Sequence, residues 1–325
     1  MLNLMQVTCD KLVEEFGTLA QEKECFDVRE VIGKVCCSDN YSQNRLIIFI
    51  FQYITDIIAS CAFGIDAGTF SKKKEKSKFM QYADGLADFG YKFAIGTLPG
   101  GVSLLKLLNI PAMKQTETEF FDKVVKTTLE HRKKGQVVRR NDMIDLMIDA
   151  IKGDIEDDEE ADNLEQFEMD AVLKHNNSKK NLDELSIVST ALAILVAGLD
   201  TIRSTLIYAF YQLSVNPECQ EKLWLEINDT LAANGNENLS YDDLQRMTYL
   251  DQIVCETLRL HNVSGLAQRV TTKEYKIPGT DVVLPKDTLV RINILGIHTN
   301  PKHYENPLVF DPDHFSKEAK EKRNP

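Results

Sequence analysis

Apolar residues recur at three- and four-residue spacing along most of the first 260 positions. That spacing gives a helix one apolar side. Residues 1–20 and 53–63 follow it, as does TETEFFDKVVKTTLEHRKK (116–134), where Phe120, Phe121, Val124, Val125 and Leu129 share a side. A shorter helix is expected over 141–152 with Asn141 as its cap. The long apolar stretch from about Leu182 to Leu213 predicts a helix that stops near Pro217. Asn216–Pro217 opens the next helix and Gly235 closes it. One more covers about 242–260, with Met247, Leu250, Ile253, Val254 and Leu258 inward.

SKKKEKSK (71–78) and GTLPGGVS (96–103) separate helices. GDIEDDEEADNLEQFEMD (153–170) opens a polar stretch, 153–181, expected to be a solvated loop because its like charges repel. It lacks the alternation and glycine of a calcium loop. From residue 263 the pattern changes: LAQRV, EYKI and TLVRINI alternate like short strands, parted by the turns PGTD (278–281) and PKD (285–287). TNPKHYENPLVFDPDHF, with Pro301, Pro307 and Pro312, is expected to be mostly irregular. The chain reads as mainly α with a small β region over 263–325.

The formal net charge of −12 argues against a general nucleic-acid binder. The seven cysteines are scattered and odd in number, without metal-ligand spacing, which suggests free thiols in a reducing compartment. The amino terminus reads as an amphipathic helix and not as a signal peptide or membrane anchor. Leu46–Phe63 and Ile187–Leu213 are long apolar runs, but the first contains Asp56 and the second Asp200 and Arg203. A central Asp or Arg costs a membrane span about 2.5 to 3.5 kcal/mol, so buried core helices are expected.

The second run raises a question at AGLDT (197–201). Glycine weakens a helix by about 1 kcal/mol relative to alanine, and a buried acid needs a partner. In one reading Gly198 admits a neighbouring helix and Asp200 faces a polar group. In the other, the helix passes over a flat cofactor, and Asp200 with Thr201 relays protons. CETLRL (255–260) places Glu256 and Arg259 three apart on one helical face, either as an ordinary ion pair or as a buried one. Arg269, ten residues on, is a strand guanidinium suited to a carboxylate or to the surface.

In this order and register, AGLDT, ETLR, QRV and FDPDHF resemble the cytochrome P-450 family of haem-thiolate monooxygenases. AGLDT is similar to that family's oxygen-binding helix motif and ETLR to its E-x-x-R motif. CAFGIDA (61–67) and the tail EKRNP resemble the microsomal, arthropod-type branch. The resemblance implies the P-450 fold, incomplete at both ends, in a single domain over 1–325. It implies a haem cofactor whose oxygen-binding face Ala197 and Gly198 border, with Asp200 and Thr201 delivering protons to bound dioxygen. Arg269 would pair with a haem propionate, while Glu256 and Arg259 brace the fold near the thiolate side. The implied reaction inserts one oxygen atom from O2 into a small lipophilic substrate. Electrons would come from NADPH through a flavoprotein reductase, at the cytoplasmic face of the endoplasmic reticulum membrane.

The sequence departs from the pattern in several places. The family's axial cysteine lies in F-x-x-G-x-x-x-C-x-G, and none of the seven cysteines stands in that context. The chain alone is therefore expected not to be a working monooxygenase, since thiolate donation drives O–O cleavage. A truncated non-catalytic product, an incomplete gene model and a helical interaction protein are the alternatives. His314 replaces the arginine that completes a triad with the E-x-x-R pair, HNVSG (261–265) replaces an aromatic-Pro-Pro, and Arg203 replaces a small residue. VCCSDNYSQNRLIIFIFQ (35–52) interrupts an otherwise continuous segment, and its Lys-Val and Ile/Phe-rich, Gln-terminated ends suit a translated intron. It is expected to form a loop or a poorly packed extension.

Overall fold

Helices here are decided by which side of each can be covered, because burial of an apolar face rather than intrinsic propensity stabilises most helices in proteins. The computed structural model describes residues 2–21, 45–70, 77–87, 95, 101–111, 113–134, 139–152, 184–235, 239–263 and 265–323. The acidic stretch 153–181, residues 35–44 of the expected insertion, and most of the 71–78 and 96–103 linkers lie outside the described residues. The described residues up to Asp200 form one unit and those from Thr201 a second.

The first unit holds α1 (Leu2–Gln21), α2 (Arg45–Ala62), α3 (Lys78–Ala87), α4 (Gly101–Leu107), α5 (Gln115–Lys133), α6 (Met143–Lys152) and the first part of α7 (Glu184–Val215). Ile50, Ile54 and Ile58, four residues apart on α2, are buried together with Ala59 and Phe63. Phe63, Phe79 and Phe121 form an aromatic cluster with ring centroids 5.1 to 5.4 Å apart. Edge-to-face pairs at such spacing add to the burial they provide.

Two expectations are corrected here. Residues 45–52 of the expected insertion are not a loop: they are the opening turns of α2, and Ile50 has no exposed surface. The apolar run LIIFIF places a residue in the core at helical spacing, and that burial outweighs the discontinuity in sequence. Asn141 does not cap α6; it takes a positive φ of 54° just outside the helix. The cap is supplied by Asp142, whose carboxylate accepts from the Asp145 amide at 3.1 Å.

The second unit continues α7 and adds α8 (Pro217–Ala233), α9 (Tyr241–Arg246) and α10 (Thr248–Leu260). The single helix expected over 242–260 is two, broken at Met247. Each start has its own cap. Ser240 and Asp243 form a reciprocal capping box at α9, while the Glu226 carboxylate of α8 accepts from the Tyr249 and Leu250 amides at 2.8 and 2.9 Å. These bonds satisfy N–H groups that a helix start leaves without partners. Asn216 precedes α8 as expected, but its side chain donates to the Gln212 carbonyl at 2.8 Å instead of capping.

The strands are β1 (Leu266–Val270), β2 (Tyr275–Lys276), β3 (Val283–Leu284) and β4 (Leu289–Asn293). β1 pairs antiparallel with β4, setting Arg269 opposite Val290, and β2 pairs antiparallel with β3. The turn between β2 and β3 uses Gly279 at φ 73°, a conformation glycine adopts without penalty. Then come α11 (Ile294–His298), a 3-10 turn (Pro312–Phe315) and α12 (Lys317–Lys322). Cys219, Ile253 and Phe310 are a small core that ties α8 and α10 to this terminal region, with Leu213, Leu223, Tyr249 and Leu260 packed round it.

Candidate functional site

The long helix α7 has two sides. Ile187, Ala191, Leu195, Leu199, Arg203 and Ile207, each four residues from the next, are buried. Ser189, Ala193, Ala197 and Thr201 form the exposed counterpart, with Asp200 beside them and Gly198 partly exposed. The AGLDT polar groups therefore stand on the open side, and Asp200 bears no burial cost. The buried polar residues of this helix are Arg203, 3% exposed, and Gln212, 8% exposed. By length and composition α7 could cross a membrane, and only a third of its most apolar window is buried, less than in the buried core helix expected there. The apolar run of α2 is the buried core helix expected, and it carries Asp56 at 4% exposure.

Glu256 and Arg259 are completely enclosed. Arg259 grips the carboxylate with two N–H groups, Nε to Oε2 and Nη2 to Oε1, both at 2.7 Å. Its remaining reach is spent on backbone: Nη1 donates to the His298 and Pro307 carbonyls, each at 2.7 Å, and Nη2 to Val309 O at 3.1 Å. Glu256 Oε1 also accepts from the Asp311 amide at 2.9 Å. A buried ion pair is tolerable only when its remaining donors and acceptors are satisfied in this way. Two side chains of one helix thus fix four points between residues 298 and 311, a segment with two prolines and little secondary structure of its own.

His314 joins the same cluster. Its Nδ1 lies 3.1 Å from Glu256 Oε1 and its Nε2 2.7 Å from Glu305 O. Both partners are acceptors, so both contacts are hydrogen bonds when the ring carries two protons. Tyr304 lies beside it, with the guanidiniums of Arg259 and Arg323 each 4.8 Å from its ring centre. Arg323 also donates to His314 O. Arg269 is placed differently: it is exposed on β1 and donates to the carbonyl of its own neighbour Gln268 at 2.8 Å. Glu256, Arg259 and His314 are brought together; Arg269 lies apart, on β1.

Sequence reasoning missed two polar centres. At the first, Arg132 of α5 holds Asp142 through both carboxylate oxygens at 2.6 and 2.5 Å and Asp145 at 2.7 Å. Arg140 reaches Gly64 O at 3.1 Å and Ser60 Oγ at 2.9 Å. Burial works against ionisation of Asp145, but N–H groups of Arg140 and Asn141 and the Arg132 guanidinium outweigh it and hold the carboxyl below its ordinary range. CAFGIDA was the available signal, since Gly64 stands at φ 64° where a Cβ would meet Arg132 Nη2 at 2.1 Å. At the second, His261 stacks on Tyr208 with centroids 4.2 Å apart and lies 2.7 Å from Gln212 Nε2. Burial pushes the His261 pKa down.

Among the described residues no cluster of three or more His, Cys, Asp or Glu side chains could hold a metal ion. Cys9, Cys61, Cys219 and Cys255 are free, and burial pushes the thiols of the last three up.

The family model described as Cytochrome P450 matches residues 1–325. Curated relatives include cytochrome P450 6B2 of Helicoverpa armigera, 31% identical over 295 residues, which cover 90% of this chain and 54% of the relative. Cytochrome P450 6B6 of the same insect is 33% identical over 329 residues, 100% of this chain and 57% of the relative. Cytochrome P450 6k1 of Blattella germanica is 34% identical over 277 residues, 84% and 51% respectively. The chain spans about half the length of the curated relatives it matches.

Proposed function

The chain belongs to the cytochrome P450 family, whose members are haem-dependent monooxygenases, and we propose that it forms the oxygen-side and E-x-x-R portion of such an enzyme. The observation that carries this reading is the exposed side of α7, where Ala197, Asp200 and Thr201 stand clear of the core. A flat macrocycle laid along that side meets small side chains at Ala197 and Gly198 and polar ones at Asp200 and Thr201. These residues fit the group's oxygen-binding face. The described cysteines do not fit its thiolate side, because Cys9, Cys61, Cys219 and Cys255 lie on α1, α2, α8 and α10 and none stands in the F-x-x-G-x-x-x-C-x-G context.

When bound, the haem supplies the oxygen activation. The chain's own contribution is narrower. The Asp200 carboxylate and the Thr201 hydroxyl, adjacent on the exposed side, hold a proton and pass it onward. Arg269, with one of its five N–H donors on Gln268 O, offers a guanidinium for a propionate carboxylate. Glu256 and Arg259 take no part in proton movement; they hold residues 298–311 in place. We extend the reading to a small lipophilic substrate, an NADPH-dependent flavoprotein reductase as electron donor, and the endoplasmic reticulum membrane, all by family likeness.

The test uses a version of the protein carrying the axial cysteine loop, with and without Thr201→Ala. NADPH consumption should become uncoupled from product in the variant, with peroxide accumulating. Unchanged coupling removes Thr201 from the proton path.

A further inference from the structure

Gln52 and Asp56 are four residues apart on α2, hence on one side of it, and both reach across to Thr69. Gln52 Nε2 donates to Thr69 O at 2.8 Å, and Thr69 Oγ1 returns a bond to Gln52 O at 3.0 Å. The Thr69 amide donates to Asp56 Oδ1 at 3.2 Å. Three hydrogen bonds thus clip the end of the 63–70 loop onto the helix. Each side chain then has one oxygen left over. Gln52 Oε1 and Asp56 Oδ2 are both buried, and neither has a hydrogen-bond partner.

An ionised carboxylate can only accept, and so can an amide oxygen. With Asp56 ionised, two buried acceptors four residues apart on α2 are left without a donor. An unsatisfied buried polar group is costly, and more so when it is charged. A single proton removes the difficulty, because a carboxylic acid donates where a carboxylate cannot. We infer that Asp56 is held in the folded chain as the neutral acid, with its proton on Oδ2 as the donor offered to Gln52 Oε1, so that the loop's attachment to α2 depends on pH.

The surroundings agree. Burial, the largest influence, pushes the Asp56 pKa up, against the opposing bonds from Thr69. The charged groups that act on it are Lys11 of α1, which favours ionisation, and Asp66 of the loop, which disfavours it. A folded pKa above the unfolded one means this contribution is fully present below the unfolded value and is lost as pH rises through the folded value. Gly64, at the other end of the same loop, is held by Arg140. Raising the pH therefore loosens the Thr69 end, where Asp56 supplies one of the three bonds, while the Gly64 end stays fixed. The inference is independent of the proposed monooxygenase role.

Asp56→Asn decides it. Asparagine can accept from the Thr69 amide and donate to Gln52 Oε1 at any pH. Urea midpoints of the 1–325 chain and the variant should coincide in acid and separate as pH rises, the wild type falling and the variant staying level. Infrared spectra in mildly acidic buffer should show a protonated carboxyl band in the wild type that the variant lacks. Loss of stability in the variant at every pH, or a gain in wild-type stability on adding potassium or calcium that the variant does not share, identifies an ionised Asp56 or a cation there and overturns the proposal. If the variant does not fold, the infrared band of the wild type, compared between acid and neutral buffer, settles the protonation state alone.

Discussion

His314 and Glu256 are 58 positions apart in the chain and 3.1 Å apart in space. The histidine takes part in the cluster that the sequence comparison had put in doubt. Replacing an arginine with an imidazole leaves the carboxylate of Glu256 with a third donor beside the Arg259 guanidinium and the Asp311 amide.

Removing the acid tests how much rests on this cluster. Glu256→Ala leaves Arg259 charged, buried and without its carboxylate, a change that costs about 3 to 5 kcal/mol. A large drop in the urea midpoint is expected. Arg259→Lys should also be destabilising, because an ammonium lacks the planar fork that reaches the His298, Pro307 and Val309 carbonyls together. A lysine variant as stable as the wild type sinks the multi-point account.

Gly64 is predicted to tolerate no side chain. Alanine there would face both the left-handed conformation and the Arg132 Nη2 at 2.1 Å from its Cβ. Backbone strain of this kind costs about 1 to 3 kcal/mol. Thermal unfolding of Gly64→Ala should begin well below that of Gly68→Ala, where φ is similar but nothing lies within 4 Å of the added carbon. Equal losses at the two positions exclude a role for Arg132.

His261 gives a pH dependence of opposite sign to that of Asp56. Its folded pKa lies below the ordinary value, so its contribution is complete above the unfolded histidine range and is lost as pH falls through the folded value. Protonation also turns the ring nitrogen facing Gln212 Nε2 into a donor opposite a donor. Acid-induced loosening, followed by tyrosine fluorescence, should be weaker in His261→Gln. The same acid response in both proteins argues for another titrating group.

The polypeptide 1–325, mixed with haem and reduced under carbon monoxide, should lack the red-shifted Soret band of thiolate ligation. The expectation follows from the sequence context of the seven cysteines, none of which stands in F-x-x-G-x-x-x-C-x-G. Appearance of the band shows that one of the cysteines serves as ligand.

The helices were legible wherever one side is apolar over several turns, as in α5, where Phe121, Val125 and Leu129 are buried as their spacing implies. Leu199 and Thr201 show what periodicity could not give at AGLDT. One has no exposed surface and the other lies open, so the question of a buried acid arose from hydropathy averaged over the stretch, not from the side Asp200 faces. The break at Met247 was illegible for a different reason. It depends on Glu226, more than 20 residues away in the chain, supplying the amides of α10 with acceptors. The Glu256–Arg259 pair could be read as a pair, but its enclosure depends on carbonyls from residues 298, 307 and 309 whose direction no local pattern encodes.

Tyr304, with a guanidinium 4.8 Å from its ring centre on behalf of α10 and another on behalf of the chain after α12, joins two distant stretches through an uncharged ring. Ions in solution weaken exposed pairs such as Lys276–Asp281 within a Debye length of about 10 Å at moderate salt. At this joint the ring carries no charge for them to shield, and the Arg259–Glu256 pair beside it is buried. The terminal region should accordingly stay seated in brine that loosens the surface, held by this ring as well as by the Glu256 and Arg259 hydrogen bonds.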